Sequence, residues 1–258
     1  MLLRETPTIA VVQVDARFRQ LLADHHVFIA DNGSYERWGD NTVVSFTKDT
    51  LIEPYTAFFR GETLCTMGAF SYSHSPMPLG MRVGRYCSIA GGLKGIGSEH
   101  PIAAVSTSPA FYDRRVIFSS VAAAEMEHGW PWKRMPFHEK PAPVIGNDVW
   151  LTAEVGLNRG AVVGDGAIIL RNAMVSTKLD GFWLYGGIPA RAVRPRFPGE
   201  LGVKMAATEW WQLSPKDLAA YPMHDPAAFV EQWESGSASA QAWKPAVLNL
   251  WDEVQRLG

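Results

Sequence analysis

The stretch from Ile145 to Val175 reads IGNDVW LTAEVG LNRGAV VGDGAI ILRNAM V when it is divided at every sixth residue. Each hexad begins with an aliphatic residue, and its fifth residue is small or β-branched. A period of six does not match the 3.6-residue repeat of an amphipathic helix, and the five glycines of the stretch disfavour a helix further. The pattern predicts a coil in which three hexads make one turn and successive turns pair as short parallel strands.

The same pattern extends towards the N-terminus with less regularity. It recurs at Val83 and Ile89, whereas Ile52 and Met67 fall in different phases of the repeat. We therefore expect the coil to begin between residues 43 and 52. Between residues 95 and 143 the repeat stops for a stretch that is far longer than an ordinary connection, and such excursions are usually functional.

These boundaries predict a mainly β protein with three parts: an N-terminal extension (1–42), a parallel β-helix (43–196) with the inserted loop 95–143, and a small C-terminal helical cap (197–258). A cap is expected because an open last turn exposes unpaired backbone. Ser214 and Asp225 each precede a proline and predict two helix starts, and a last helix is expected from Pro245 to Leu257.

Composition excludes several classes of protein. The chain is 47% apolar and 19% charged, so it is expected to fold around a core. A net charge of −2 gives no electrostatic basis for nucleic-acid binding. No apolar run is long enough for a membrane span and the first residues lack a secretory signal, so we expect a cytoplasmic protein. Cys65 and Cys87 are expected to be small buried residues.

Two segments, 83–112 and 144–196, resemble the xenobiotic and saccharide branch of the hexapeptide acyltransferases, which includes chloramphenicol, streptogramin and polysaccharide O-acetyltransferases. The resemblance covers roughly half of the chain. The motifs that carry it are GRYCSIA (84–90), HP (100–101), VSTSP (105–109), VIGNDVW (144–150), GGIPA (186–190) and EWW (209–211). It implies a left-handed β-helix, a homotrimer, and acetyl-CoA as the acyl donor in a groove between neighbouring coils.

The candidate catalytic residue is His100. Transfer of an acetyl group to a hydroxyl requires removal of the hydroxyl proton, and a neutral imidazole is suited to that step. His100 also matches the catalytic histidine that the resemblance implies, and Glu99 beside it is a second candidate that could orient the ring. No histidine lies between residues 145 and 175, which argues against a zinc site on the coil, and we expect no metal.

The resemblance also implies which residues meet the cofactor and the acceptor. Arg191 and Arg194 follow the GGIPA motif, where cations could pair with the phosphates of CoA. The chain departs from the family at Thr152 and at Ile188, where the family usually has glycine and asparagine. The candidate cofactor-binding residues are Trp150, Thr152, Ala153, Arg171, Thr177, Lys178, Arg191 and Arg194. The candidate substrate-binding residues are Tyr86, Ser106, Thr107 and Tyr112.

The sequence leaves the acceptor open. We expect an acetyl-CoA-dependent O-acetyltransferase that acts on a saccharide hydroxyl by direct attack, since aromatic residues of the inserted loop could stack on a sugar ring. An antibiotic O-acetyltransferase and an amino-sugar N-acyltransferase are the neighbouring alternatives. A non-catalytic β-helix that serves in assembly is the alternative of a different class, because a fold alone does not fix a function.

Overall fold

The computed structural model describes residues 2–97, 100–126, 133, 140–236 and 241–258. It contains two compact units, of which the first comprises Met1–Ile96 with Ala142–Gly258 and the second comprises Gly97–Pro141. Within the described ranges, no helix is long and apolar enough to cross a membrane.

The first unit is built mainly from short strands. They are, in chain order, β1 (Leu2–Glu5), β2 (Ile9–Gln13), β3 (Val27–Phe28), β4 (Val43–Thr47), β5 (Leu51–Ile52), β6 (Thr56–Phe58), β7 (Thr66–Met67), β8 (Tyr72–Ser73), β9 (Arg82–Val83), β10 (Ser88–Ile89), β11 (Lys94–Ile96), β12 (Val144–Ile145), β13 (Trp150–Leu151), β14 (Gly156–Asn158), β15 (Val162–Val163), β16 (Ile168–Ile169), β17 (Met174–Val175), β18 (Lys178–Leu179), β19 (Trp183–Gly186), β20 (Arg191–Pro195) and β21 (Leu248–Asn249).

The helices are α1 (Ala16–Asp24), α2 (Ile117–Glu125), α3 (Leu201–Thr208), α4 (Pro215–Leu218), α5 (Pro226–Glu234) and α6 (Leu250–Leu257). Single 3₁₀ turns lie at Pro109–Phe111 and Trp210–Gln212. Ser214 and Asp225 cap α4 and α5 through their side chains, which confirms the two predicted helix starts. The last helix begins at Leu250 rather than at Pro245, because Leu248–Asn249 forms a strand and Asn249 caps the helix.

The hexapeptide repeat forms the predicted parallel coil. Ile145 pairs with Val163, Leu151 with Ile169 and Leu157 with Val175, so each strand lies beside the strand that begins three hexads later. All six side chains are buried in the interior of the coil. The coil therefore has three faces, which are the column β5, β7, β9, β12, β15, β18, the column β6, β8, β10, β13, β16, β19, and the column β11, β14, β17.

The first turns of the coil are shorter than the later ones. Ile52 pairs with Met67, and Met67 pairs with Val83, so each of these turns falls short of three full hexads. A turn that is not a whole number of hexads shifts the phase of the repeat, which explains why Ile52 and Met67 do not fit one register in the sequence. The coil extends back to β5, within the expected range.

One corner of the coil requires glycine because successive turns touch there. A Cβ atom built on Gly84 would lie 2.6 Å from the carbonyl oxygen of Gly146, and one on Gly164 would lie 2.5 Å from the amide nitrogen of Gly181. Both contacts are shorter than any side chain tolerates, and the obstructing atoms belong to backbone. This close approach explains why glycine follows the aliphatic residue in several hexads.

The same corner also holds one residue of each turn in the left-handed backbone region. We call this set the left-handed column, and its members lie three residues after each paired strand residue: Tyr55, Phe70, Tyr86, Asp148, Gly166 and Phe182. Aspartate and glycine tolerate this conformation, whereas aromatic residues rarely adopt it. The rings of Tyr55, Phe70 and Tyr86 stack on one another, with centroids 5.4 and 5.2 Å apart. Stacking between turns therefore accompanies the unusual backbone.

The C-terminal segment packs on residues of the last turn. On one face of that turn, β20 pairs antiparallel with β19. Helices α3 and α5 contribute to a second core that contains Phe182 of the left-handed column, between β18 and β19, with Met205, Trp211 and Phe229. The helical cap over residues 197–258 stays a prediction.

Segments from both halves of the chain close the first turn. β3 pairs parallel with β6, and β21 pairs antiparallel with β5. The guanidinium of Arg17 on α1 donates a 2.6 Å hydrogen bond to the carbonyl oxygen of Leu257 on α6. β1, β2 and β4 form a separate antiparallel sheet. The N-terminal extension is thus joined to the coil and to the C-terminal residues.

We predict that Gly84→Ala lowers the free energy of unfolding by about 1 to 3 kcal/mol, because the new methyl group would overlap the backbone of the next turn. Chemical denaturation at matched protein concentration measures the change. Gly39→Ala is the matched control, since a Cβ atom on Gly39 meets nothing within 4 Å. Equal stability of the two variants would contradict the close-approach explanation.

Candidate active site

His100 lies in the second unit with its imidazole held by a backbone carbonyl. Its Nδ1 atom is 2.8 Å from the carbonyl oxygen of Thr107. A carbonyl oxygen can only accept a hydrogen bond, so Nδ1 carries the proton of the neutral ring. The lone pair of the neutral imidazole is then on Nε2, on the side of the ring away from Thr107. His100 is exposed, and Nε2 is the atom that can take a proton from another molecule.

Tyr112 supports the same imidazole. Its hydroxyl oxygen lies 2.8 Å from His100 Nδ1 and donates to the Thr107 carbonyl oxygen at 3.3 Å. The Tyr112 side chain is buried, and its ring meets the imidazole edge to face with centroids 6.3 Å apart. Tyr112 therefore helps to fix the orientation of the imidazole. Its contact with the substrate stays a prediction.

The loop around His100 is organised by hydroxyl groups. Ser106 Oγ accepts a hydrogen bond from the backbone N–H of Ser108, and Ser108 Oγ caps the 3₁₀ turn at Pro109–Phe111. Ser106 is therefore used at least in part to shape the loop. Thr107 is exposed and supplies its carbonyl to His100. Glu99, the second catalytic candidate, lies outside the described residues.

Trp150, Thr152 and Ala153 lie on or after β13 in the first unit. The Trp150 side chain points outward and is 51% exposed. Thr152 Oγ1 donates a 2.8 Å hydrogen bond to the carbonyl oxygen of Ile169, so this side chain ties two turns together. The carbonyl oxygen of Ala153 accepts from the N–H of Asn172. Of these three predicted cofactor residues, Trp150 presents the largest open surface.

The predicted cationic residues are exposed in the structure. Arg191 and Arg194 lie on the same strand, β20, where they pair with Gly186 and Leu184. Each donates to a neighbouring carbonyl oxygen, Arg191 to that of Ala190 and Arg194 to that of Pro195. β18 begins at Lys178, on another face of the coil, and Arg171 and Thr177 lie in turns. The structure thus places the two arginines on one strand, in the same sheet as Trp150 on β13.

Tyr86 is engaged by the C-terminal segment. Its hydroxyl donates a 2.6 Å hydrogen bond to the carbonyl oxygen of Leu213, and its ring lies between Phe70 and Trp210. Burial raises the pKa of this phenol to about 12. The hydroxyl of Tyr86 thus links the second core to the coil. Contact of Tyr86 with the substrate stays a prediction.

Two ion pairs were not anticipated from the sequence. Arg196 lies 2.7 Å from Asp148 and also donates to the Gly166 carbonyl oxygen, so it supports the left-handed column. Burial raises the pKa of Asp148, and the charge of Arg196 acts in the opposite direction. Arg85 makes a two-pronged contact with Glu53, at 2.6 and 2.7 Å. The sequence does not predict these two ion pairs because the two partners of each pair lie far apart in the chain.

The cysteines are confirmed as buried and free. Burial raises the pKa of each thiol to about 12, which keeps both protonated and unreactive near neutral pH. Within the part of the chain that the structure describes, no three His, Cys, Asp or Glu side chains are grouped so as to hold a metal ion.

Comparison with known proteins adds relatives. No family model matches the chain. A "Probable macrolide acetyltransferase" of Lysinibacillus sphaericus is 32% identical over 139 residues, which cover 53% of this chain and 71% of the relative. A chloramphenicol acetyltransferase of Agrobacterium fabrum is 31% identical over 163 residues, which cover 60% of this chain and 72% of the relative. A solved hexapeptide-repeat acetyltransferase of Vibrio cholerae, 20% identical, matches with a TM-score of 0.31 over 55% of this chain and 60% of that one.

We predict that the neutral imidazole of His100 is protonated at Nδ1 and not at Nε2, because the Thr107 carbonyl can only accept. Nitrogen-15 NMR of the histidine side chains distinguishes the two tautomers. Tyr112→Phe should keep the same tautomer, since the carbonyl remains. Protonation at Nε2 in the wild-type protein would contradict this assignment. If Tyr112→Phe changed the protonated nitrogen from Nδ1 to Nε2, the tyrosine hydroxyl and not the carbonyl would be the group that sets the tautomer.

Proposed function

Because the chain belongs to the family of chloramphenicol and macrolide acetyltransferases, we propose that it transfers the acetyl group of acetyl-CoA to a hydroxyl group of its acceptor. The observation that carries the proposal is the imidazole of His100, which the Thr107 carbonyl holds with Nε2 as the proton acceptor. A general base of this kind is what attack by a hydroxyl on a thioester requires.

In the proposed reaction, His100 Nε2 accepts the proton of the acceptor hydroxyl while the hydroxyl oxygen bonds to the acetyl carbon. The imidazolium then returns that proton to the sulfur of CoA as the carbon–sulfur bond breaks. Tyr112 and the Thr107 carbonyl keep the ring in one orientation throughout. No covalent intermediate on the protein is needed, which agrees with the buried, protonated cysteines.

Two acceptor classes are supported by different observations. The names of the relatives support an antibiotic hydroxyl. The saccharide hydroxyl that the sequence favours was inferred from the aromatic residues of the inserted loop, of which Trp130, Trp132 and Phe137 lie outside the described residues. We retain the saccharide as the first proposal and the antibiotic as the second, and a panel containing both classes decides between them.

For the acyl donor, we propose that Arg191 and Arg194 pair with the phosphates of CoA. Both side chains are exposed on one strand, and arginine suits phosphate because its donors are fixed in a fork. Trp150 offers an exposed apolar surface on the coil. We further propose a homotrimer, since a groove on one coil face is too open to desolvate a thioester and a second subunit would close it.

His100→Ala should lower kcat by ~10²- to 10⁴-fold with little change in the affinity for acetyl-CoA, because only the general base is removed. Thiol release from acetyl-CoA, measured with a panel of sugars and antibiotics, reports the rate. The matched control is His224→Ala, an exposed histidine outside the proposed site. The proposal fails if His100→Ala retains about a third or more of the wild-type kcat.

Arg191→Ala should raise the KM for acetyl-CoA about tenfold while kcat stays nearly unchanged, since the phosphates are bound equally in the ground and transition states. The thioester of dephospho-CoA provides the control. Wild type should bind the truncated cofactor more weakly than acetyl-CoA, whereas Arg191→Ala should not distinguish them. If wild type and Arg191→Ala lost the same affinity on removal of the 3′-phosphate, that phosphate would be assigned to Arg194 or Lys178.

A further inference from the structure

A cleft near the first turns of the coil is built from three segments that are distant in sequence. The end of α1 contributes Asp24, His25 and His26, the left-handed column contributes Tyr55, and the segment before β21 contributes Trp243 to Ala246. Its volume is about 390 Å³, which lies within the range of small-molecule sites. All of these residues belong to the first unit, and none of them takes part in the proposed acetyl transfer.

The cleft is lined by aromatic rings that pack against neighbouring aromatic side chains. Tyr55 is 44% exposed, and its ring stacks on Phe70 with an interplanar angle of 6°. Trp243 lies 5.5 Å from Phe70 and 6.5 Å from Tyr55, centroid to centroid. His26 meets the Tyr55 ring edge to face at 5.0 Å. Each ring is thus braced by a neighbour.

Arg85 fixes the position of the tryptophan. Its guanidinium lies 5.4 Å from the Trp243 ring centroid and donates to the Trp243 carbonyl oxygen at 3.3 Å, while Glu53 holds the same guanidinium. The segment that carries Trp243 is therefore attached to the coil by a charged side chain. An aromatic surface held in this way is pre-organised, which reduces the entropy cost of binding.

The rim of the cleft carries both hydrogen-bond donors and acceptors. His25 Nδ1 is 3.0 Å from the Leu21 carbonyl oxygen, and His26 Nδ1 is 3.3 Å from that of Ala23. Because carbonyls only accept, each ring offers Nε2 as an acceptor when neutral. The Asp24 carboxylate accepts one bond, from Gln20, and has further lone pairs. Lys244 is exposed and adds a donor.

The balance of charge on the rim selects among ligand classes. Asp24 and Lys244 contribute one charge of each sign, so neither a polyanion nor a polycation is favoured. A nucleotide could stack on the rings, but its phosphates would face a carboxylate with one lysine to offset them. A pyranose ring fits both features, since its C–H face packs on aromatic rings and its hydroxyls pair with mixed donors and acceptors.

We propose that this cleft binds a neutral saccharide through the exposed part of the Tyr55 ring and the polar rim of Asp24, His25 and Lys244. The proposal goes beyond acetyl transfer and holds whether the acetyl acceptor is a sugar or an antibiotic. An enzyme with such a site would hold a saccharide chain at a second point, which raises the effective concentration of that chain at the protein.

The test measures binding of maltohexaose, cellohexaose and chitohexaose to the full chain, without acetyl-CoA, by saturation-transfer NMR and calorimetry. We expect saturable binding of at least one probe to the wild-type protein. Tyr55→Asn removes the ring while tolerating the left-handed backbone, and it should weaken binding about tenfold. Tyr55→Phe keeps the ring and should bind nearly as well as wild type.

Lys244→Gln tests the rim without disturbing the aromatic stack, and should weaken binding severalfold even if Tyr55→Asn folds poorly. Lys216→Gln, an exposed lysine on α4, is its matched control and should bind as wild type does. The proposal is overturned if no probe binds saturably, if a bound probe is insensitive to both Tyr55→Asn and Lys244→Gln, or if AMP displaces the saccharide at lower concentration than maltose does. Lys244→Gln should leave the rate of thiol release from acetyl-CoA unchanged, which separates this site from the proposed acetyl transfer.

Discussion

The stacking of one turn of backbone directly on the next is the constraint on which the rest of the molecule depends. It places one aliphatic side chain per face in a dry interior, as with Leu151 against Ile169, and it leaves no room for a Cβ atom at the corner occupied by Gly84. Each turn also presents outward positions in fixed columns. The stacking of the turns sets the spacing of the surface residues that could bind ligands, such as Trp150. Contacts between those side chains do not set it.

The later turns were predictable from the sequence because their periodicity is strict. From Ile145 to Val175 each aliphatic residue marks a face, and the observed pairing follows that register. The first turns were less predictable because they are shorter than three hexads and shift the phase, and because Tyr55 and Phe70 occupy a left-handed corner that sequence rules reserve for glycine, asparagine and aspartate. Stacking between neighbouring turns is a tertiary interaction, so it cannot be predicted from the residues that surround each position in the sequence.

The candidate site, like the coil, has some features that the sequence predicts and others that it does not. The sequence proposes His100 because its motif stands in an excursion that interrupts the repeat, and its role stays a prediction. Its tautomer was not predicted from the sequence, since that depends on the Thr107 carbonyl, and a backbone acceptor leaves no signature in the residue type. Tyr86 and Tyr112 were predicted to contact the substrate. Their hydroxyls are committed to Leu213 and to the His100–Thr107 pair, which only the folded structure shows.

The closure of the first turn by β21 and α6 has a consequence for biosynthesis. A solenoid made on the ribosome can add turns in order as the chain emerges, since each repeat needs only its neighbour. Here the strand that pairs with Ile52 contains Leu248, and the partner of Arg17 is Leu257. While residues 53–247 are being translated, the β5 edge therefore lacks this partner and is open to pairing with other chains. The residues from Leu248 onwards end that exposure, so the nascent protein depends on them more than its fully folded form suggests.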